Sequence, residues 1–306
     1  MLSRVVETLY WMARYIERAE NAARLVNITN LMLMDLPKGV STGWEPIIDI
    51  MGVREPYLKQ YKSFHQNHAL EFVLVSEHNP SSIVNSLWNA RENARTVRDV
   101  MPRGAWEGIN ALYNYANEHR DLGLSKRGRF EYLKNIISGA HLIFGELDAT
   151  ISHDEGYLFI RIGSLLERAD MTTRILDVRS ANLIIDDQYR PFENIQWTSL
   201  LRSLSAYQMY RKDMGMRIKG EQVLAFLLQN PHFPRSVDYC LATLSQLVTL
   251  LPNSEQIDAA INKASHAVNQ ADTSQLKNGV LHQFIDEIQI ELTYIHDELA
   301  KAYYLK

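Results

Sequence analysis

Apolar residues recur at helical spacing along almost the whole of this chain. Over residues 2–34 they fall at Val5, Leu9, Met12, Ile16, Ala19, Ala23 and Val26. Steps of three and four keep one side of a 3.6-residue helix apolar. A Pro/Gly-bearing loop, DLPKGVSTG, follows, and further helices are expected over about 44–52, 55–78, 82–100, 104–118 and 129–152. Pro80-Ser81-Ser82 supplies start signals for the 82–100 helix. HRDLGLSKRGRF, residues 119–130, reads as the main loop of the first half. Sustained apolar/polar alternation with β-branched residues is missing, so the pattern predicts an all-α protein.

The first helix carries a cluster of charge where a surface helix would keep its far side. YIERAENAAR, residues 15–24, holds Glu17, Arg18, Glu20 and Arg24, and LLERADMTTR, residues 165–174, repeats the arrangement with Glu167, Arg168, Asp170 and Arg174. With Glu17 as zero and about 100° per residue, the apolar positions fill an arc from about 180° to 280°. Glu20 then lies near 300° and Arg24 near 340°, while Arg18 sits near 100°, on the other side of Glu17. Glu17, Glu20 and Arg24 form one stripe along the edge of the buried face. In the second copy Phe159, Ile162, Leu166, Ala169, Thr173 and Leu176 make the arc, and Glu167, Asp170 and Arg174 the stripe.

Two roles are open to these stripes. Glu20–Arg24 and Asp170–Arg174 are i,i+4 pairs in the favourable acid-first order, and a partly buried charge needs such a partner. The two stripes would then pair across a helix junction as a structural brace. Alternatively they line a shared cleft that holds a polar ligand or a partner's tail.

The repetition extends beyond the motif. Glu17-Arg18-Ala19-Glu20 matches Glu167-Arg168-Ala169-Asp170 at an offset of 150. Trp44 with Ile47-Ile48 resembles Trp197 with Leu200-Leu201, offset by 153, and Pro80-x-Ser82-Ile83 with Leu87 resembles Pro234-x-Ser236-Val237 with Leu241, offset by 154. Three similarities in one order at nearly constant spacing imply an internal duplication. Repeats of this length exceed an ordinary helical solenoid unit. The expectation is a single compact domain over 1–306, a helical bundle of two homologous halves, about 1–150 and 151–306, packed with pseudo-twofold symmetry.

Composition narrows the function classes. A chain of 306 residues with 46% hydrophobic and 22% charged residues is ordinary for a globular protein. The formal net charge of −4 gives no reason to expect nucleic acid or anionic lipid as a partner. A lone Cys240, in VDYCLATL, cannot form an internal disulfide, and it reads as a buried helix residue. Arg4, Glu7 and Arg14 interrupt the N-terminal segment, so no signal-peptide core forms. No apolar run approaches the roughly 20 residues that span a bilayer. A cytoplasmic location is expected.

Motifs of known chemistry are mostly missing. None of the ten histidines follows a glutamate by three positions, which argues against a ferritin-like dimetal site, and no metal is expected. There is no Gly-x-x-x-x-Gly-Lys phosphate loop and no Gly-x-Ser-x-Gly elbow. His65-x-x-His68 lacks companion ligands. GLSKRGR, residues 123–129, reads as a flexible basic loop, and His153-Asp154-Glu155 could do acid–base work or simply suit a helix N-terminus. A third charged run, ARENARTVRD, sets Arg91, Arg95 and Arg98 on one helical side beside Glu92. It could grip an anion or be a solvated face. Arg235, in FPRSV, falls at an expected helix N-terminus, where backbone amides could receive an anion or the arginine packs on Phe233.

Four segments taken together carry a family resemblance: YWMARYIERAENAARL, NPSSIVNSLWNARENARTVRD, GELDATISHDEGYLFIRIGSLLERADMTTRILDVR and NPHFPRSVDYCL. The chain resembles the bacterial alpha-E family, all-helical domains with a recurring Glu-Arg motif, here Glu17-Arg18 and Glu167-Arg168. Members of that family are encoded near ATP-grasp-type ligases and transglutaminase-like proteins. The resemblance implies a supporting role in making or modifying amide bonds in peptides. Its partner would be an ATP-grasp-type ligase or that ligase's peptide substrate, with nucleotide reaching the chain only through the ligase. No catalytic residue comes with the resemblance and no cofactor of its own is implied. An alternative remains, an enzyme in which Glu17, Glu20, Glu167 and Asp170 converge as acid/base or nucleotide-phosphate-metal groups. That alternative predicts a closed cavity and at least one carboxylate with a raised pKa.

Overall fold

The computed structural model describes residues 3–35, 43–184, 193–276 and 279–304. In chain order the helices of the first half are α1 (Ser3–Asp35), α2 (Glu45–Ile50), α3 (Arg54–Gln60), α4 (Gln66–Leu74), α5 (Ile83–Thr96), α6 (Arg103–Glu118), α7 (Arg120–Leu124) and α8 (Arg129–Thr150). Those of the second are α9 (Glu155–Ile184), α10 (Glu193–Ser203), α11 (Tyr207–Met214), α12 (Gly220–Gln229), α13 (Val237–Val248), α14 (Glu255–Gln270) and α15 (Gly279–Leu299). A π-helical turn, Ala300–Tyr304, closes the described chain. Among the described residues there is no strand, and no helix is long and apolar enough to cross a membrane. The protein is all-α, as the periodicity predicts.

The two long helices, α1 and α9, pack along each other at the centre. α1 also packs against α5, α8 and α10, and α9 against α13, α15 and α2. α6 then covers α5 and α8, while α14 covers α13 and α15. The predicted apolar arc is the buried face. Leu9, Met12, Ile16, Ala19, Ala23 and Val26 are wholly buried, and so, to within 2% exposure, are Phe159, Ile162, Leu166, Ala169, Thr173 and Leu176. Val5, at the start of the arc, is only partly buried. Ala13, Ala19, Ala22 and Ala23 on α1 are fully buried. A Cβ on Gly163 of α9 would lie 2.5 Å from the Tyr10 carbonyl oxygen.

Local chemistry starts the helices where the sequence marks them. Ser82 Oγ accepts from the Asn85 amide at 3.3 Å and Ser236 Oγ from the Tyr239 amide at 3.1 Å, capping α5 and α13. The turn after α2 holds Gly52 at φ 66°, and the one after α10 holds Ser205 at φ 52°. Positive φ is uncommon for a residue with a Cβ.

Three boundaries differ from the sequence reading. The helix expected over 55–78 is broken into α3 and α4. Tyr57, fully buried, donates to the Ser63 carbonyl at 2.8 Å and stacks on Phe64 at 5.1 Å, so an aromatic cluster turns the chain at 61–65 that periodicity alone would continue. The helix expected over 82–100 ends at Thr96. The 119–130 loop contains the short α7, whose last carbonyls, Gly123 and Leu124, accept from the buried guanidinium of Arg129 at 3.1 and 2.9 Å. Most of the DLPKGVSTG loop, residues 36–42, lies outside the described residues.

Candidate functional site

The charged stripes meet where α1 packs on α9, and each motif's arginine binds the other motif's glutamate. Arg18 donates through Nε and Nη2 to the two oxygens of Glu167 at 2.6 and 3.0 Å. Arg168 donates in the same way to Glu17, at 2.9 Å for both bonds. Planar guanidinium and carboxylate groups match in such forks, giving the strong end of the hydrogen-bond range. Glu17 and Glu167 are 1% and 2% exposed, and two charges at that depth demand close compensation.

Each glutamate also faces a second arginine. Arg14, one turn before Arg18, donates through Nε to Glu167 at 2.7 Å, and Arg235, just before α13, sits 3.3 Å from Glu17. Glu20 is equally buried. It pairs with Arg24 of its own helix, with Arg235 at 2.8 Å and with His141 of α8 at 3.1 Å. Arg24 reaches on to Ser205 Oγ in the turn after α10. Asp170 is less buried and pairs with Arg174 at 2.8 Å.

Electrostatics follow from these neighbours. Burial alone pushes the Glu17 carboxyl up, but Arg168 and Arg235 outweigh it and hold it at about 2. Glu167 is held at about 2 by Arg18 and Arg14 against the same burial. The half around Glu17 and Glu20 carries three guanidiniums, Arg24, Arg168 and Arg235, for two carboxylates. Burial, with repulsion from Arg235, lowers Arg24 to about 9, and burial lowers Arg235 to about 10. Burial likewise pushes the Cys240 thiol to about 12 and the Tyr10 hydroxyl to about 12. Their arginine partners thus hold Glu17 and Glu167 as ionised carboxylates.

A family model described as an alpha-helical domain with a conserved ER motif matches residues 1–304, and the interlocked Glu17-Arg18 and Glu167-Arg168 are two such dipeptides. The chain belongs to the Alpha-E family. Relatives at 23% identity include proteins of two Mycobacterium tuberculosis strains and of Mycobacterium bovis, all named only as uncharacterized. The alignment takes in 273 residues, 82% of this chain and 30% of each relative. The Alpha-E chain thus spans less than a third of the length of the curated relatives it matches. No solved structure matches it.

The other residues singled out in the sequence are spread elsewhere on the Alpha-E fold. Arg91 donates to Asn110 on α6 and to Glu92, both at 2.7 Å, and Arg95 donates to Glu92 at 3.0 Å. They form a local surface pairing, not part of the α1–α9 network. His65 caps α4 and His68 stacks on Tyr61 at 4.5 Å. His153 stacks on Tyr157 at 3.8 Å. Arg18, outside the predicted stripe, reaches Glu167 on the facing helix. Arg235 does not simply rest on Phe233. It is buried, donating to Asn21 at 2.7 Å and to Glu20.

Arg14 and His141 were missed in the sequence, and Arg235 was singled out without its partners. Arg14 had a signal, since it lies four residues before Arg18 and on the same side. The approach of His141 and Arg235 to Glu20 had none, because it depends on how α8 and the loop before α13 pack. A further cluster also escaped notice. Among the described residues Asp177, His282 and Asp286 bring ligand-type atoms within 4.8 Å of one another. His282 Nδ1 is 2.7 Å from Asp177 and its Nε2 3.6 Å from Asp286, so each ring nitrogen already faces a carboxylate.

Proposed function

We propose that the chain is a non-catalytic helical binding module that works in the cytoplasm beside an ATP-grasp-type ligase in forming or modifying amide bonds in peptides. One observation carries the non-catalytic part. The motif glutamates are buried, each is taken by two guanidiniums, and both are held at about 2. The enzyme reading asks for the opposite, a carboxylate with a raised pKa in a closed cavity. In the module the Glu-Arg motif is a brace that fixes α1 on α9, and the working surface lies on the helices around them. The accessory part is supported by the family resemblance and by the relatives' size. The matched segment makes up 30% of each, so the fold occurs there joined to much longer chain.

We also read the chain as a fused pair of homologous halves around a pseudo-twofold axis. The order of helices from α9 to α15 follows that from α1 to α8 with α7 as the insertion. Gly52 and Ser205, 153 positions apart, share a positive φ, and Ser82 and Ser236, 154 apart, cap corresponding helices.

The deciding experiment is co-purification of the tagged chain with the ATP-grasp-type ligase encoded beside it, with and without ATP. Association in either condition is expected. Failure in both, together with turnover by this chain alone, would reverse the assignment.

A further inference from the structure

Where α15 lies against α9, the surface carries charges and apolar side chains that the packing does not use. Arg174 of α9 and Asp286, Ile290, Tyr294 and Asp297 of α15 line an open groove of about 510 Å³. The four α15 residues follow one another at steps of four, four and three, so they share one side of the helix. The stripe reads carboxylate, aliphatic, aromatic, carboxylate. Ile290 is 66% and Tyr294 48% exposed, two apolar side chains adjacent on one face of the helix.

The charges along this groove are out of balance. Arg174 is engaged by Asp170 at 2.8 Å. Asp286 lies 3.6 Å from the His282 ring and within 4.8 Å of an Asp177 oxygen; Asp297 feels Lys301, whose amino group bonds Glu298 at 2.7 Å, and among the described residues no lysine or arginine comes within ion-pair distance of it. Two exposed carboxylates therefore flank two exposed apolar side chains. Past Arg174 and Thr293 the groove runs into a recess of about 100 Å³ lined also by Arg14, Asp170 and His296. Arg14 is the residue that holds Glu167, so an occupant of the groove would lie one side chain away from the Glu-Arg network.

We propose that this groove docks an extended basic peptide segment of a partner protein, with lysine or arginine side chains at Asp286 and Asp297 and apolar residues on Ile290 and Tyr294. The proposal rests on the binding-module reading and names the chemistry of the segment it takes. From residue 286 to 297 the helix rises about 16 Å, the length of roughly five residues of extended chain. The Tyr294 face also suits a cation, as Lys301 shows by lying 5.9 Å from its ring centre. Acidic rims of this kind steer a basic partner and reject an acidic one.

The test is fluorescence anisotropy of the whole chain with a labelled ten-residue peptide of alternating arginine and leucine, and with its glutamate-for-arginine counterpart. The basic peptide should bind and the acidic one should not. Asp286→Lys with Asp297→Lys, both at exposed positions, should weaken binding at least about tenfold, a change of about 1.4 kcal/mol. Glu107→Lys on α6 should leave it unchanged. If the charge-reversed chain fails to fold, Ile290→Ser with Tyr294→Ser gives the same reading through the apolar contacts. Absence of binding, equal binding of both peptides, or equal loss in Glu107→Lys would overturn the proposal. Ligase association without peptide binding would remove the groove alone, and peptide binding without ligase association would remove the ligase assignment alone.

Discussion

Arg168 of α9 closes Nε and Nη2 on the two oxygens of Glu17 of α1, both bonds at 2.9 Å, although the two residues stand 151 positions apart in the chain. Glu17→Ala would leave the Arg168 guanidinium buried beside Arg235 with no carboxylate between them. Breaking a buried pair from one side costs about 3–5 kcal/mol. Urea unfolding should show that loss, and Glu17→Lys should leave no folded chain at all. A cost below about 1 kcal/mol would mean that water reaches the pair and that the brace is not one.

Acid should dismantle the same network. Glu17 and Glu167 sit at about 2 in the folded chain, against an unfolded value near 4.5. Each is depressed by folding, so its contribution is fully present above the unfolded pKa and is lost as pH falls toward the folded one. The two together are worth several kcal/mol by linkage, at about 1.4 kcal/mol per pKa unit. Stability measured by denaturant should therefore fall steeply between pH 5 and pH 2. In Glu17→Gln the fall should be shallower, since one of the two titrating groups is gone.

Gly163 and Gly145 should respond in opposite ways to alanine. A Cβ at Gly163 meets the Tyr10 backbone carbonyl at 2.5 Å, whereas one at Gly145 on α8 meets nothing within 4 Å. A backbone atom inside α1 cannot swing aside, so Gly163→Ala should cost about 1–3 kcal/mol or more. Gly145→Ala should gain up to about 1 kcal/mol from helix propensity. Paired thermal melts would check both.

Cys240 is wholly buried on α13, with its thiol pushed to about 12 by that burial. The thiolate is the reactive form. An Ellman-type reagent at pH 8 should leave the native chain unlabelled for as long as it stays folded. The same reagent should label one thiol promptly in denaturant.

Much of this structure is legible in the chain alone. The arc from Leu9 to Val26 and its counterpart from Phe159 to Leu176 were assigned by period, and both are buried, because hydrophobic burial acts on spacing that a helix makes regular. The cap at Ser82 was equally visible, since the signal is local. Breaks such as the one at Tyr61 were not, because a buried tyrosine gathering Phe64 and Phe72 is a tertiary event.

What the sequence by itself determined is the all-helical character, the buried apolar arcs and the two Glu-Arg stripes beside them. All of these depend only on residues within a few turns of one another. Which guanidinium meets which carboxylate was decided by the tertiary structure. Arg18 turns to Glu167 instead of its helical neighbours, Arg235 arrives at Glu20 from 215 positions away, and His141 from 121. The reason is the range of the interaction: a buried charge is satisfied by whatever the packing of whole helices brings within about 3 Å, and no local pattern encodes that.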